Sequence, residues 1–117
     1  MTIRITVDSA GNVIYDPQVK SKNKGKTTIT WELKTSGYNF TDMRFLDPQP
    51  ADGIFSNKVV KTNKITIDDD NPGGTVAVDY PYVITVVAQA ATPGKQAGPG
   101  IKSVIGTSSP VIRNEPT

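Results

Sequence analysis

Neither cysteine nor histidine occurs in the 117 residues of the chain. Without a thiol there is no disulfide, thiolate nucleophile, iron–sulfur cluster or cysteine zinc site, and the redox compartment stays undetermined. Without an imidazole there is no histidine triad, cysteine–histidine pair, blue-copper centre or His-ligated zinc. Most common enzyme designs fall with these two residues, so the sequence reads as a non-enzyme and implies no cofactor. A glycosidase-type carboxylate pair remains chemically allowed, but the acids outside residues 68–70 are scattered over turns and solvent faces with no pair singled out.

Long apolar runs are missing too. No stretch approaches the roughly 18 apolar residues of a membrane span, and the opening MTIRITVDSAGNVIYDP carries no apolar segment of signal-peptide length behind a basic start. The default expectation is a soluble, cytoplasmic protein without a membrane span, with a removed export signal left open. Excess charge of one sign is small: a formal +2 and a pI near 8.9 make too weak a field to demand a polyanion, so nucleic acid is not an expected partner. No apolar period of 3.6 and no internal repeat is visible.

What is present is a set of short β-rich runs cut by turn residues. Apolar residues make up 36% of the chain, and 10 Gly and 9 Pro punctuate it, which fits one globular domain over residues 1–117. Thr2 to Asp8 alternates Ile3, Ile5 and Val7 against polar partners, and Val13-Ile14-Tyr15 follows a Ser9 to Asn12 turn as a second strand that Pro17 ends. Thr27 to Phe45 holds the only Trp, with Ile29, Trp31 and Leu33 on one face. Tyr38, Phe40, Met43 and Phe45 resume that pattern after a phase change at Thr41-Asp42, which predicts a bulge or bend. This aromatic group is expected to be core, with a ligand cleft as the competing reading. Asp47 to Asn63 reads as an irregular crossing that tucks Ile54 and Phe55 under an edge, and Lys64 to Asp68 as a short strand.

In Thr75 to Gln89 apolar residues occupy both faces, as in a central strand, and Tyr80-Pro81-Tyr82 suggests a corner tyrosine bonded to backbone. Ala90 to Gly100 is a loop that is not a phosphate loop, because Gln96 stands where Ser or Thr is needed. Brief pairing is expected over Ile101 to Ile105 and a closing edge strand over Pro110 to Arg113. About seven strands result, and the predicted fold is all-β: an antiparallel two-sheet β-sandwich, immunoglobulin-like or cupredoxin-like, with a small barrel as the alternative.

Two charged stretches are the candidate sites. Lys20, Lys22, Lys24 and Lys26 fall on one side of an extended chain, which suits a charge-protected edge or exposed loop; the alternative is a polyanion contact, although no aromatics interleave to stack bases. Asp68, Asp69, Asp70 and Asn71 form an acidic turn whose oxygens suit calcium, although the spacing is not that of an EF-hand and a solvated hairpin turn uses the same residues. Ser21 to Lys24 satisfies Ser-x-x-Lys without the helical setting such enzymes use. Asn39-Phe40-Thr41 is a glycosylation sequon with no export signal to give it meaning.

Tyr15-Asp16-Pro17 near the start and Asn114-Glu115-Pro116 near the finish bracket ITWELKTSGYNF and YPYVITV. In these landmarks the whole chain resembles the bacterial DP-EP family, named for its Asp-Pro and Glu-Pro pairs. The resemblance implies a small bacterial β-sandwich and brings no catalytic residues with it. The functional expectation is a binding or structural module whose partner is a protein, a glycan or a second copy of the chain in a homo-oligomer.

Overall fold

Alternation in sequence becomes burial in the first strand. β1 (Thr2–Val7) turns Ile3, Ile5 and Val7 inward and leaves Thr2 and Arg4 exposed. The computed structural model describes residues 1–47, 49–89 and 110–116 and the backbone of 101–102, and no helix occurs among them. Two sheets pack face to face. The first runs β2 (Val13–Asp16), β1, β4 (Gly25–Leu33), β7 (Lys64–Asn71), β6 (Phe55–Val60). The second runs β3 (Val19–Lys22), β10 (Val111–Asn114), β8 (Val78–Ala88), β5 (Tyr38–Phe45), with β9 (Ile101–Lys102) also on β8.

The all-β sandwich is therefore as expected, but two details differ. The described residues form ten strands rather than about seven, because the Lys tract supplies β3, the supposed crossing supplies β6, and β9 pairs over two residues. The sheets are also mixed: β1 pairs parallel with β4, setting Ile3 beside Trp31, and β10 pairs parallel with β3. Connectivity explains both. After the β1–β2 hairpin the chain crosses to the other sheet as β3, then returns on the far side of β1 in the direction of β1. Period two reports which face a residue takes and says nothing about strand direction.

The crossing sits at Asp16-Pro17, a cis peptide bond. Glu115-Pro116 follows β10, where the Glu115 N–H donates to the Lys22 carbonyl at 2.8 Å. The two dipeptides thus stand at opposite ends of the parallel β3–β10 pair.

Ile29 and Trp31 of β4 face Tyr82, Ile84 and Val86 of β8 across the core, all buried. The Trp31 Nε1–H donates to Tyr82 Oη at 3.0 Å, and the two rings meet edge-on at 5.3 Å. Tyr15 of β2 stacks edge-on against Tyr82 at 5.7 Å, and its hydroxyl accepts the Ile84 N–H at 2.8 Å while donating to the Ile84 carbonyl at 3.3 Å. Burial pushes the Tyr15 phenol up to about 12 and the Tyr82 phenol up as well, so both remain neutral hydroxyls at physiological pH. The tyrosine that bonds to backbone is therefore Tyr15; of the expected pair, Tyr82 bonds Trp31 and Tyr80 packs edge-on against Phe55 at 5.2 Å. The expected bond thus runs the other way round: the phenol comes from β2, and β8 supplies the backbone of Ile84.

On the lateral side β5 and β6 are the sheet edges. The β5 register shifts between Phe40 and Asp42, as the phase change predicts, and Met43 returns to the core. In β6 a second shift follows Ser56, Asn57 adopts φ 57°, and Lys58 Nζ reaches Asp42 Oδ1 at 3.1 Å and the Met43 carbonyl at 2.8 Å. A bulge and a lysine at the edge oppose further strand addition there.

Replacing Tyr15 by Phe leaves the buried Ile84 N–H without its partner and is expected to cost about 1–3 kcal/mol in urea unfolding. Tyr80→Phe is expected to cost less; an equal or greater cost would return the backbone-anchoring role to Tyr80.

Candidate functional site

The lysine tract does not form one charged side. Lys20 and Lys22 share the inner face of β3, opposite Ile112 and Asn114, whereas Lys24 lies in the turn after it and Lys26 stands on β4 opposite Asp70. Lys22 is only 2% exposed, a correction to the solvated reading. Its ammonium donates to the carbonyls of Asn23 and Gly25, and the backbone oxygens of the tight turn into β4 replace its water shell. Three of the four cations are left, on different surfaces. Ser21 takes an outward position on β3 with Lys24 beyond its end, so the Ser-x-x-Lys pattern has no helix face to act from.

The acidic turn is corrected too, because β7 runs through it to Asn71. Alternation then separates the four oxygen-bearing side chains. Asp68 and Asp70 point outward, where Asp68 accepts from Thr28 Oγ1 at 2.7 Å and Asn57 Nδ2 at 2.9 Å; these bonds hold its carboxyl below the usual range. Asp69 and Asn71 point inward. Asn71 Nδ2 donates to the carbonyls of Lys22 at 2.9 Å and Glu115 at 3.0 Å, and its Oδ1 accepts the Gly73 N–H at 2.9 Å. Among the described residues no group of three or more acidic side chains is gathered to hold a metal.

Asp69 is fully buried, and its Oδ1 accepts from Asn114 Nδ2 at 3.1 Å. Asp69 Oδ2 and Asn114 Oδ1 have no hydrogen-bond partner. Both are acceptors, so a single proton on Asp69 Oδ2 supplies the donor that the pair lacks and closes a two-point acid–amide pair. Burial pushes the Asp69 carboxyl up, with the Asn114 bond and the Lys22 charge pulling the other way.

Aromatic residues divide into a closed and an open set. Trp31 and Tyr82 are sealed and Tyr15 is buried at the border of a broad groove, whereas Phe45 and Phe55, 4.4 Å apart, line a cleft of about 340 Å³ beside Pro50 and Lys58.

The more polar cleft lies at one end of the sandwich, where the β4–β5 turn, the β6–β7 turn and the end of β8 meet. Backbone bonds fasten these segments to the sheets: Leu33 N–H to the Asn63 carbonyl at 3.0 Å, Phe40 N–H to the Thr62 carbonyl at 2.8 Å, and Gln89 N–H to the Gly37 carbonyl at 2.8 Å. Gly37 has φ 90°, a left-handed conformation that the tight turn needs and glycine adopts without steric cost. Gln89 Nε2 donates to Asn39 Oδ1 at 2.7 Å. The cleft measures about 360 Å³ and is lined by Lys34, Tyr38, Asn39, Thr62, Asn63 and Gln89 among others. Lys34 also borders a broader groove of about 690 Å³ with Arg4, Thr6, Ile14 and Asp16, so the two depressions meet at one side chain. Sequence reasoning did not find this site. Its residues sit in turns and at strand ends, with Tyr38 in an apolar pattern that reads as core, and Asn and Gln at such places carry no signal that distinguishes ligand binding from turn chemistry. The 90–100 loop and residues 103–105 of the expected pairing lie outside the described residues. No protein-family model matches the chain, and no curated protein matches it.

Because folding raises the Asp69 carboxyl above its ordinary value, its contribution to stability is complete below about pH 4 and is lost as pH rises through the folded value. Asp69→Asn preserves the two-point pairing with Asn114 and has no proton to lose. The variant's stability relative to the parent, measured by urea unfolding at several pH values, should therefore increase as pH rises above about 4. A pH-independent difference would show that Asp69 titrates alike in the folded and unfolded chain.

Proposed function

We propose that the chain is a non-enzymatic binding module whose ligand is a glycan seated in the loop-end cleft. The observation that carries this reading is that Asn39, Asn63 and Gln89 line one cleft together with the half-buried Tyr38. Gln89 Nε2 is engaged by Asn39 Oδ1 and the Tyr38 carbonyl, which leaves Gln89 Oε1 as an acceptor, Asn39 Nδ2 as a donor and both groups of the Asn63 amide for adjacent sugar hydroxyls, and an aromatic residue gives the apolar face of a sugar a partner. Loops positioned by a rigid scaffold are where binding residues concentrate, and here the loops are tied to strands by backbone bonds. A lining without any carboxylate supports the non-enzymatic part of this reading, since no acid pair is available there.

The likeness to the bacterial DP-EP proteins belongs to this reading. Its support is positional: Asp16-Pro17 and Glu115-Pro116 flank the parallel β3–β10 pair. The immunoglobulin-like or cupredoxin-like description is one of architecture, and function is argued from the cleft alone.

Glycan-array screening followed by calorimetry tests the proposal. A retained oligosaccharide should bind the Asn63→Ala variant about tenfold more weakly, the loss of one good polar contact, with the thermal midpoint unchanged. A protein that retains no glycan, or an Asn63→Ala variant that binds the retained glycan as well as the parent, would overturn it.

A further inference from the structure

Cations lost to binding in the lysine tract reappear around the cleft. Cross-strand register places Asp16, Arg4, Glu32 and Lys64 in one row on the outer face of the first sheet, running over β2, β1, β4 and β7. Lys34 follows Glu32 by two residues and closes on it at 2.9 Å. Three cations thus surround Glu32, and their charges together hold its carboxyl below the usual range: first the Lys34 hydrogen bond and charge, then Lys64 and Arg4. Lys61 stands beside Lys64, since its N–H donates to the Lys64 carbonyl at 2.8 Å across the turn that carries Thr62 and Asn63. Arg4 and Lys34 thus line the broader groove with Asp16, while Lys64, in the same row as Arg4, and Lys61 beside it line a neighbouring depression on that face, so four cations stand against the carboxylates of Glu32 and Asp16. All four are solvent-exposed, so an incoming anion need not displace a packed side chain to reach them.

Resting on the glycan reading above, we propose that the ligand is an acidic glycan, one bearing carboxylate or sulfate groups, which seats neutral sugar hydroxyls in the amide cleft and runs past Lys34 onto the Arg4 and Lys64 face. Lys34 is the residue that lines both depressions. Thr6 adds a hydroxyl to the lining of the groove, and two depressions that share Lys34 offer more room than a single sugar fills. Exposed pairings are individually weak and screened by salt, so the cations set preference among glycans while the amides hold the sugar.

Calorimetry with matched ligands tests this. The probes are an oligouronate and its carboxyl-reduced counterpart, a sulfated oligosaccharide and its desulfated counterpart, and a single-stranded RNA of similar length. The expected result is that one acidic member of a pair binds about tenfold or more tightly than its neutral counterpart. That preference should shrink as salt rises from low to moderate concentration. Arg4→Gln, Lys34→Gln and Lys64→Gln should each weaken acidic binding about two- to fivefold, with the thermal midpoint unchanged. Equal binding of acidic and neutral members would overturn the acidic preference and leave the glycan reading standing. Loss of all glycan binding would overturn both, and RNA bound as tightly as the acidic glycan would overturn the preference in favour of unselective polyanion attraction.

Discussion

One hydrogen bond crosses the middle of the sandwich, from Trp31 on β4 to Tyr82 on β8, and the packing of both sheets depends on it. An indole N–H buried without a partner costs free energy, so a fully buried Trp can sit at this point only if the opposite sheet presents an acceptor at the same height. Tyr82 does so, and Tyr15 then fixes Tyr82 from the side while holding both polar groups of Ile84. Three rings thereby tie β2 and β4 of one sheet to β8 of the other. Ile3, Ile65 and Ile112 fill the space around them without exposing apolar surface.

From this centre the rest of the molecule is arranged outward. The edges of the two sheets are closed on one flank by Lys58, and the parallel β3–β10 pair is held at its far end by Asn71 and Glu115. The loops at the end near Gly37 inherit the rigidity of the strands, which lets short polar side chains face one another at a fixed spacing.

Where hydrophobic alternation is strong, the sequence was informative. β1, the Trp31 strand, the bulge near Asp42 and the central place of β8 all follow from apolar spacing, because burying one face of a pleated strand enforces period two. It was uninformative where polar residues point inward. Lys22, Asp69, Asn71 and Asn114 obey the same alternation as their apolar neighbours, but their burial depends on carbonyls and amides contributed by segments far away in the chain. Residue type alone therefore assigned Lys22 and Asp69 to solvent. β6 was concealed for a related reason: at an edge its residues stay mostly exposed, so Phe55 to Val60 shows little pattern. The cleft was illegible because its parts come from turns and strand ends separated by up to half the chain, and only topology brings Tyr38, Asn63 and Gln89 together.

A double-mutant cycle on Trp31 and Tyr82 tests the inter-sheet bond most directly. With Trp31→Phe, Tyr82→Phe and the pair together in urea unfolding, the double variant should be less destabilised than the sum of the singles by about 0.5 kcal/mol or more. That difference is the signature of two buried polar groups that satisfy one another. Additivity within about 0.3 kcal/mol would mean that Trp31 and Tyr82 stabilise the fold independently, and the inter-sheet bond could not be what holds the sandwich together.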